Sequence, residues 1–268
     1  MLENLAYPFV KPNILDIKLG TVLYDESATP EKRNRMENTA RLTTSLETGV
    51  RLTGFQVSPS FAYASKEFIT FLAKVHDNNT SQPVLTPKVY GKSIKASDLP
   101  DGIARFFPIA STPSTEPEER VTPSLGLPKS ILLPILESLR EDVAEILEAF
   151  HEVHLRMVGG SLLIVYEGDW ERAAEGVKLF GLDESSGIEE RENNDEDEWG
   201  DEEDEDDDDE EEEVDQKRPG PPCTLKLIDF AHTRIKPGQG PDQGVLLGLS
   251  TVRKLLDGRI EQVRAAEV

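Results

Sequence analysis

Asp16 and Lys18 are the acid and the base best placed to do chemistry in this chain of 268 residues. They lie in Pro12-Asn13-Ile14-Leu15-Asp16-Ile17-Lys18-Leu19-Gly20, whose alternation predicts a strand. Side chains two apart on a strand point the same way, so the carboxylate and the ammonium share a face. Gly20 lets the backbone turn sharply just beyond them. Such a pair suits an anion together with a hydroxyl or a metal ion. It equally describes a surface ion pair, and spacing alone leaves both readings open.

A helix start follows. In Thr29-Pro30-Glu31 the Thr can cap free amides, Pro fits the first helical position, and the acid suits the positive end of the dipole. A helix is therefore expected from Pro30. On it Lys32, Arg35 and Thr39 share one stripe, with Arg33 beside them and Arg41 a turn later. Cations this dense repel one another, so they either spread into solvent or share a polyanion, and phosphate is the anion that Lys and Arg recognise best.

Two later segments add to the set. Ser161 to Gly168 follows Gly159-Gly160 and reads as a buried strand with a hydroxyl at its start. Thr224 to His232 reads as a strand that delivers Asp229 and His232 at its end. An acid leaving an apolar strand suits Mg²⁺, which takes one or two carboxylates and keeps water and substrate as its other ligands. A helix cap would use the same Asp.

Other elements serve to position these residues. Alternation after Gly49 predicts a strand through Val57, in which Arg51 faces either a ligand or solvent. Helical spacing marks Lys66 to His76 and Leu99 to Phe107, and Pro108 to Pro128 reads as an exposed loop. From Ile135, residues Leu136, Leu139, Val143, Ile146, Leu147 and Phe150 make a strongly apolar helix face, with Pro134 interrupting or restarting the pattern before it. His151 and His154 close that helix in dipole or surface roles, since nothing at ligand spacing supports a metal site there.

The formal charge of −23 is local: between Asp183 and Asp215 stand 23 acids and a single base, Arg191, and the rest carries 29 acids against 28 bases. A run so charged and so poor in apolar residues cannot pack, and it reads as a disordered, extended insertion. A solvated linker is the default for it, and an arm that binds basic proteins or divalent cations is the alternative. The single cysteine, Cys223, excludes an intramolecular disulfide, fits a reducing compartment and is not expected to be catalytic. No apolar run reaches the roughly 18 to 20 residues needed to cross a bilayer, and the first residues lack a secretory pattern, so a soluble, intracellular protein is expected.

With these residues in view the chain resembles the inositol polyphosphate kinases. Pro12 through Gly20 matches their P-x-x-x-D-x-K-x-G signature, Ser161-Leu162-Leu163 their S-S-L-L element, and Ile228-Asp229-Phe230-Ala231-His232 their I-D-F-A-H element. Leu2-Glu3-Asn4-Leu5, Tyr90-Gly91-Lys92, Glu167-Gly168-Asp169 and the acidic insertion look most like the fungal multikinases of that family. The resemblance implies that Glu3 and Leu5 belong to the hinge that grips adenine and that Asp16 contacts the nucleotide ribose. It places Lys18 at the transferred phosphate and the inositol substrate, Lys32, Arg35 and His232 on the inositol phosphates, and Asp229 with Ser161 on Mg²⁺. Gly160 stands where the family has its first Ser, leaving Ser161 as the hydroxyl ligand.

The expectation is thus an α+β lobe of the inositol polyphosphate kinase type, its C-terminal lobe, with an antiparallel sheet and flanking helices. It would comprise residues 1–182 and 219–268, interrupted by a disordered acidic insertion at 183–218. The family's preceding lobe finds no counterpart before Met1, so a fragment or a weakly active kinase is expected. The implied reaction is ATP- and Mg²⁺-dependent phosphorylation of inositol tris- and tetrakisphosphate hydroxyls by a monomer of nucleus and cytoplasm, without nucleic acid. The competing reading is a non-catalytic inositol-phosphate-binding scaffold whose acidic arm recruits basic nuclear proteins.

Overall fold

The computed structural model describes residues 4–57, 84–85, 90–110, 126–182 and 220–266. Strand β1 (Pro12–Leu19) forms where the alternation placed it. Its residues Asn13, Leu15, Ile17 and Leu19 are buried, while Asp16 and Lys18 face the other side. The remaining strands are β2 (Val50–Val57), β3 (Val84–Leu85), β4 (Leu155–Met157), β5 (Ser161–Glu167), β6 (Cys223–Ile228) and β7 (Thr233–Ile235). Five of them form one sheet in the order β3-β2-β1-β5-β6, antiparallel throughout, while β4 and β7 pair separately.

Around the sheet run the helices α1 (Pro30–Leu42), α2 (Ser45–Thr48), α3 (Tyr90–Ser93), α4 (Leu99–Phe106), α5 (Lys129–Glu152), α6 (Trp170–Leu179) and α7 (Gln243–Ala265). The core lies between one sheet face and the long pair α5 and α7. Leu15, Ile17, Leu162 and Ile164 meet Leu136, Leu139 and Val143 of α5 and Leu249, Val252 and Leu256 of α7 in one buried cluster. Each such side chain contributes about 1.5–3 kcal/mol on burial. Two polar side chains caught inside find partners: the Tyr166 hydroxyl donates to the Phe106 carbonyl at 2.6 Å, and the buried Arg259 donates twice to the Phe107 carbonyl, at 3.0 and 2.7 Å. Helix α7 comes so close to the turn before β2 that a Cβ on Gly248 would lie 2.4 Å from the Gly49 carbonyl oxygen.

Helix α1 starts at Pro30, with the Thr29 hydroxyl accepting from the Lys32 amide at 3.3 Å. Pro134 does not restart α5, which runs unbroken from Lys129. It stands barely more than a turn from the start, where its missing N–H costs a single helical bond. The buried face Leu132, Ile135, Leu136 and Leu139 spans it and holds the helix together. Strand β6 stops at Ile228, short of the expected His232, because Asp229 adopts the left-handed conformation at φ 68° and a single 3₁₀ turn, Phe230–His232, follows. The helix expected over Lys66 to His76, the middle of the loop between Pro108 and Pro128, and the acidic insertion at 183–218 fall outside the described residues. No helix among the described residues is long and apolar enough to cross a membrane.

Candidate active site

Strand register builds the site. Lys18 on β1 stands opposite Ser161 on β5, and Ser161 stands opposite Ile228 on β6, one residue before Asp229. The ladder therefore delivers the base, the hydroxyl and the late acid to one row. Lys18 Nζ lies 2.6 Å from Ser161 Oγ, 2.5 Å from Asp229 Oδ2 and 3.6 Å from Asp16 Oδ2. A non-glycine residue at positive φ stores strain and needs surroundings that hold it, a state that clusters at functional sites. Asp229 is in that state, and its left-handed turn aims its carboxylate back at Lys18.

Asp16 is the second acid of the knot. Its Oδ1 is buried and has no hydrogen-bond partner, although most buried polar atoms are paired. Arg51 on β2 stands opposite Lys18 from the other side. Burial lowers the pKa of its guanidinium, and the Asp16 carboxylate opposes that effect. Arg51, which the alternation left facing either ligand or solvent, is thus half buried on the site face as a second cation of the row. Ser161 is wholly buried beneath Lys18. Lys18 Nζ bridges Asp229 and Ser161, the pair expected on the metal, donating to both side chains.

Beyond Gly20, which turns at φ 96°, a cleft of about 450 Å³ opens between the segment after β1 and the β4–β7 pair. His232 lines it with Arg156, Arg234 and Lys236. His232 Nδ1 lies 3.0 Å from Asp25 Oδ2, and Lys32 acts on the same carboxylate. The Ser27 hydroxyl, above all, and then Lys32 hold the Asp25 carboxyl below its ordinary range. Lys32 and His232 are therefore brought together around an acid that the motif reading did not single out. The Asp-x-Ser spacing of Asp25 and Ser27, a common turn signature, was the available signal.

The cationic stripe of α1 divides. Lys32 acts electrostatically on Asp25 of the cleft wall, and Arg35 is exposed a turn further on. Arg33 turns back, donating to the carbonyls of Ala28 at 3.0 Å and Glu26 at 2.6 Å and lying 5.7 Å over the Tyr24 ring. Leu5 lies half buried in the turn before β1, in a segment tied down at Val10 and Lys11, whose amides donate to the buried Glu167 carboxylate at 2.7 and 2.8 Å. Glu3 falls outside the described residues. At Gly160, an added Cβ would lie 2.4 Å from Met157 Sδ, so the thioether fills the place of the family's serine side chain. His154 accepts from the Gly238 amide at 2.9 Å, and no group of three or more His, Cys, Asp or Glu side chains able to hold a metal occurs among the described residues.

This geometry agrees with what comparison finds: the model of the inositol polyphosphate kinases matches residues 1–257. The chain belongs to the inositol polyphosphate kinase family. It is 35% identical over 255 residues to the inositol polyphosphate multikinase of Saccharomyces cerevisiae, an alignment covering 94% of this chain and 66% of that protein. It is 23% identical to human inositol hexakisphosphate kinase 1, over 96% of this chain and 51% of the relative. The chain thus spans from about half to just under two thirds of the length of these curated relatives. Among solved structures, the S. cerevisiae inositol phosphate multikinase in complex with ADP and Mn²⁺ superposes with a TM-score of 0.65 at 26% identity, covering 97% of this chain and 82% of that one. Another inositol phosphate multikinase structure, at 16% identity and a TM-score of 0.56, shares the fold. The α+β architecture with its antiparallel sheet is therefore that of the family, and these likenesses do not bear out the expected loss of an N-terminal lobe.

Proposed function

We propose that this chain carries the phosphoryl-transfer site of an inositol polyphosphate kinase, moving the γ-phosphoryl of ATP to a hydroxyl of inositol tris- and tetrakisphosphates. The observation behind the reading is Lys18 Nζ, held within 2.5–3.6 Å of Asp229, Ser161 and Asp16. Phosphoryl transfer needs little covalent help from protein; it needs positioning and neutralisation of charge spread over equatorial oxygens. A lysine fixed by three partners on a strand ladder supplies both. In this reading Lys18 contacts the transferred phosphoryl group, and the partly exposed Asp16 carboxylate accepts from a ribose hydroxyl. The acceptor inositol phosphate lies along Lys32, Arg35 and His232.

A divalent cation fits at Asp229, which is half exposed and commits Oδ2 to Lys18, leaving carboxylate lone pairs for an ion. Such an ion, Mg²⁺ or Mn²⁺, offsets the negative charge of the phosphate oxygens. Ser161 serves in this reading as the acceptor that holds Lys18 rather than as a cation ligand.

The test is transfer of labelled γ-phosphate from ATP to inositol trisphosphate by the purified chain with Mg²⁺, compared with Asp229→Asn. Turnover that falls by about 10²–10³ in the variant while its melting curve is kept supports the assignment. Equal turnover in both proteins overturns it.

A further inference from the structure

Two of the acids that line the cleft beyond Gly20 are paired with side-chain nitrogens, while Asp242 caps α7 by accepting from the Gly244 and Val245 amides. Asp25 meets His232 at 3.0 Å, and Glu26 meets Lys236 at 2.7 Å and Arg234 at 4.0 Å. These two acids differ in how firmly they are held. Asp25 is nearly buried, with Oδ1 accepting from the Ser27 amide at 3.0 Å and the Ser27 hydroxyl at 2.7 Å, so its charge is fixed in the wall. Glu26 is 68% exposed and keeps its place through Lys236 and Arg234. Arg156 keeps its charge and is fixed in the wall by donating to the carbonyls of Leu155, Gln239 and Gly240.

A site meant to take every phosphate on offer would leave its cations unpaired, since each phosphate brings up to two negative charges and seeks guanidinium or ammonium partners. Here a newcomer must share His232 with a fixed carboxylate and compete with Glu26 for Lys236 and Arg234. Like charges left facing each other are how a site rejects the wrong partner. We infer that Asp25 and Glu26 are specificity-determining residues that set an upper limit on the phosphate count of the acceptor, favouring inositol tris- over hexakisphosphate.

This inference deepens the kinase reading and rests on it. Its test is calorimetric binding of inositol trisphosphate and inositol hexakisphosphate to the whole chain, as wild type, Glu26→Gln and Asp25→Asn. Glu26→Gln, at an exposed position, should tighten hexakisphosphate binding about fivefold and trisphosphate binding less than about twofold, the scale of an exposed charge pair. Asp25→Asn should move selectivity the same way; if its loop loosens with the loss of Ser27, Glu26→Gln still decides. Wild type that binds both ligands while Glu26→Gln leaves their ratio unchanged, or weakens hexakisphosphate, overturns the acidic limit and leaves the kinase reading standing. Wild type that binds neither ligand at low salt overturns both.

Discussion

The knot around Lys18 and the cleft around Asp25 are near neighbours along the chain, yet they are held by different means. The knot is placed by backbone ladders: Lys18 faces Ser161, Ser161 faces Ile228, and neither can slip without carrying a whole strand out of the core. The cleft is placed by side chains that grip loops, such as Arg33 on the Ala28 and Glu26 carbonyls and Arg156 on Gln239 and Gly240. A reacting phosphoryl group tolerates little misplacement, and a sheet is the stiffer support for it. An acceptor bearing several phosphates needs a wall whose cations can exchange partners, and loops permit that. The fold thus assigns chemistry to register and recognition to loops.

The strongest way to break this contrast is to empty the centre of the knot. Lys18→Met keeps length and apolar stem but removes the charge, and turnover with ATP and inositol trisphosphate should fall by about 10²–10³ with the melting midpoint nearly unmoved. Retained turnover would mean that the row of Lys18, Ser161 and Asp229 is a surface ion pair after all. Next in size is Ser161→Ala, which leaves every charge and removes one hydrogen-bond acceptor for Lys18. Loss of a bond to a charged group corresponds to about a tenfold drop in kcat. The Mg²⁺ concentration giving half-maximal rate should stay constant if the hydroxyl only holds the lysine. A rise in that concentration would return Ser161 to the role of cation ligand.

How much of this was visible beforehand follows the same division. Alternation showed the face shared by Asp16 and Lys18, and the cap at Thr29 showed where α1 begins, because both are local and periodic. The meeting of Lys18 with Asp229, 211 positions later, could be reached from family resemblance but not from periodicity, since register between distant strands leaves no local mark. Helical spacing put Arg33 beside Lys32 and Arg35, yet it could not show that Arg33 turns back to loop carbonyls. Asp25 carries only a turn spacing in the sequence, because its meaning comes from His232 and Lys32, which only the folded chain brings to it. Pro134 misled for a different reason: a proline near a helix start forfeits little, and the apolar face of α5 outweighs it.

A smaller effect sharpens the loop side of the contrast. Arg33→Ala frees two loop carbonyls and should cost about 1 kcal/mol of stability while raising the acceptor KM. Arg35→Ala touches no loop and should leave stability alone, weakening acceptor binding only a few-fold and more at low salt than at high. Equal melting curves for the two variants would show that the cleft does not depend on Arg33.

The smallest expected effect is an absence of response in the sheet. Cys223 begins β6, and burial, reinforced by Asp142, pushes its thiol up to about 12. The thiolate is the reactive form, so at pH 8 native Cys223 should label far more slowly with a thiol reagent than the same residue in denaturant. The sign of the linkage follows: the unfolded thiol ionises first as pH rises, so folding should lose stability above about 9, the ordinary thiol value. Because this is the single cysteine, each modified thiol reports an opening of β6. If loops and ladder are mechanically separate, Arg33→Ala should leave the native labelling rate at pH 8 where wild type has it, even as it loosens the cleft. Labelling that speeds up in step with the lost stability would mean that cleft and sheet open together, and the division between register and loops would then describe the static fold but not its motions.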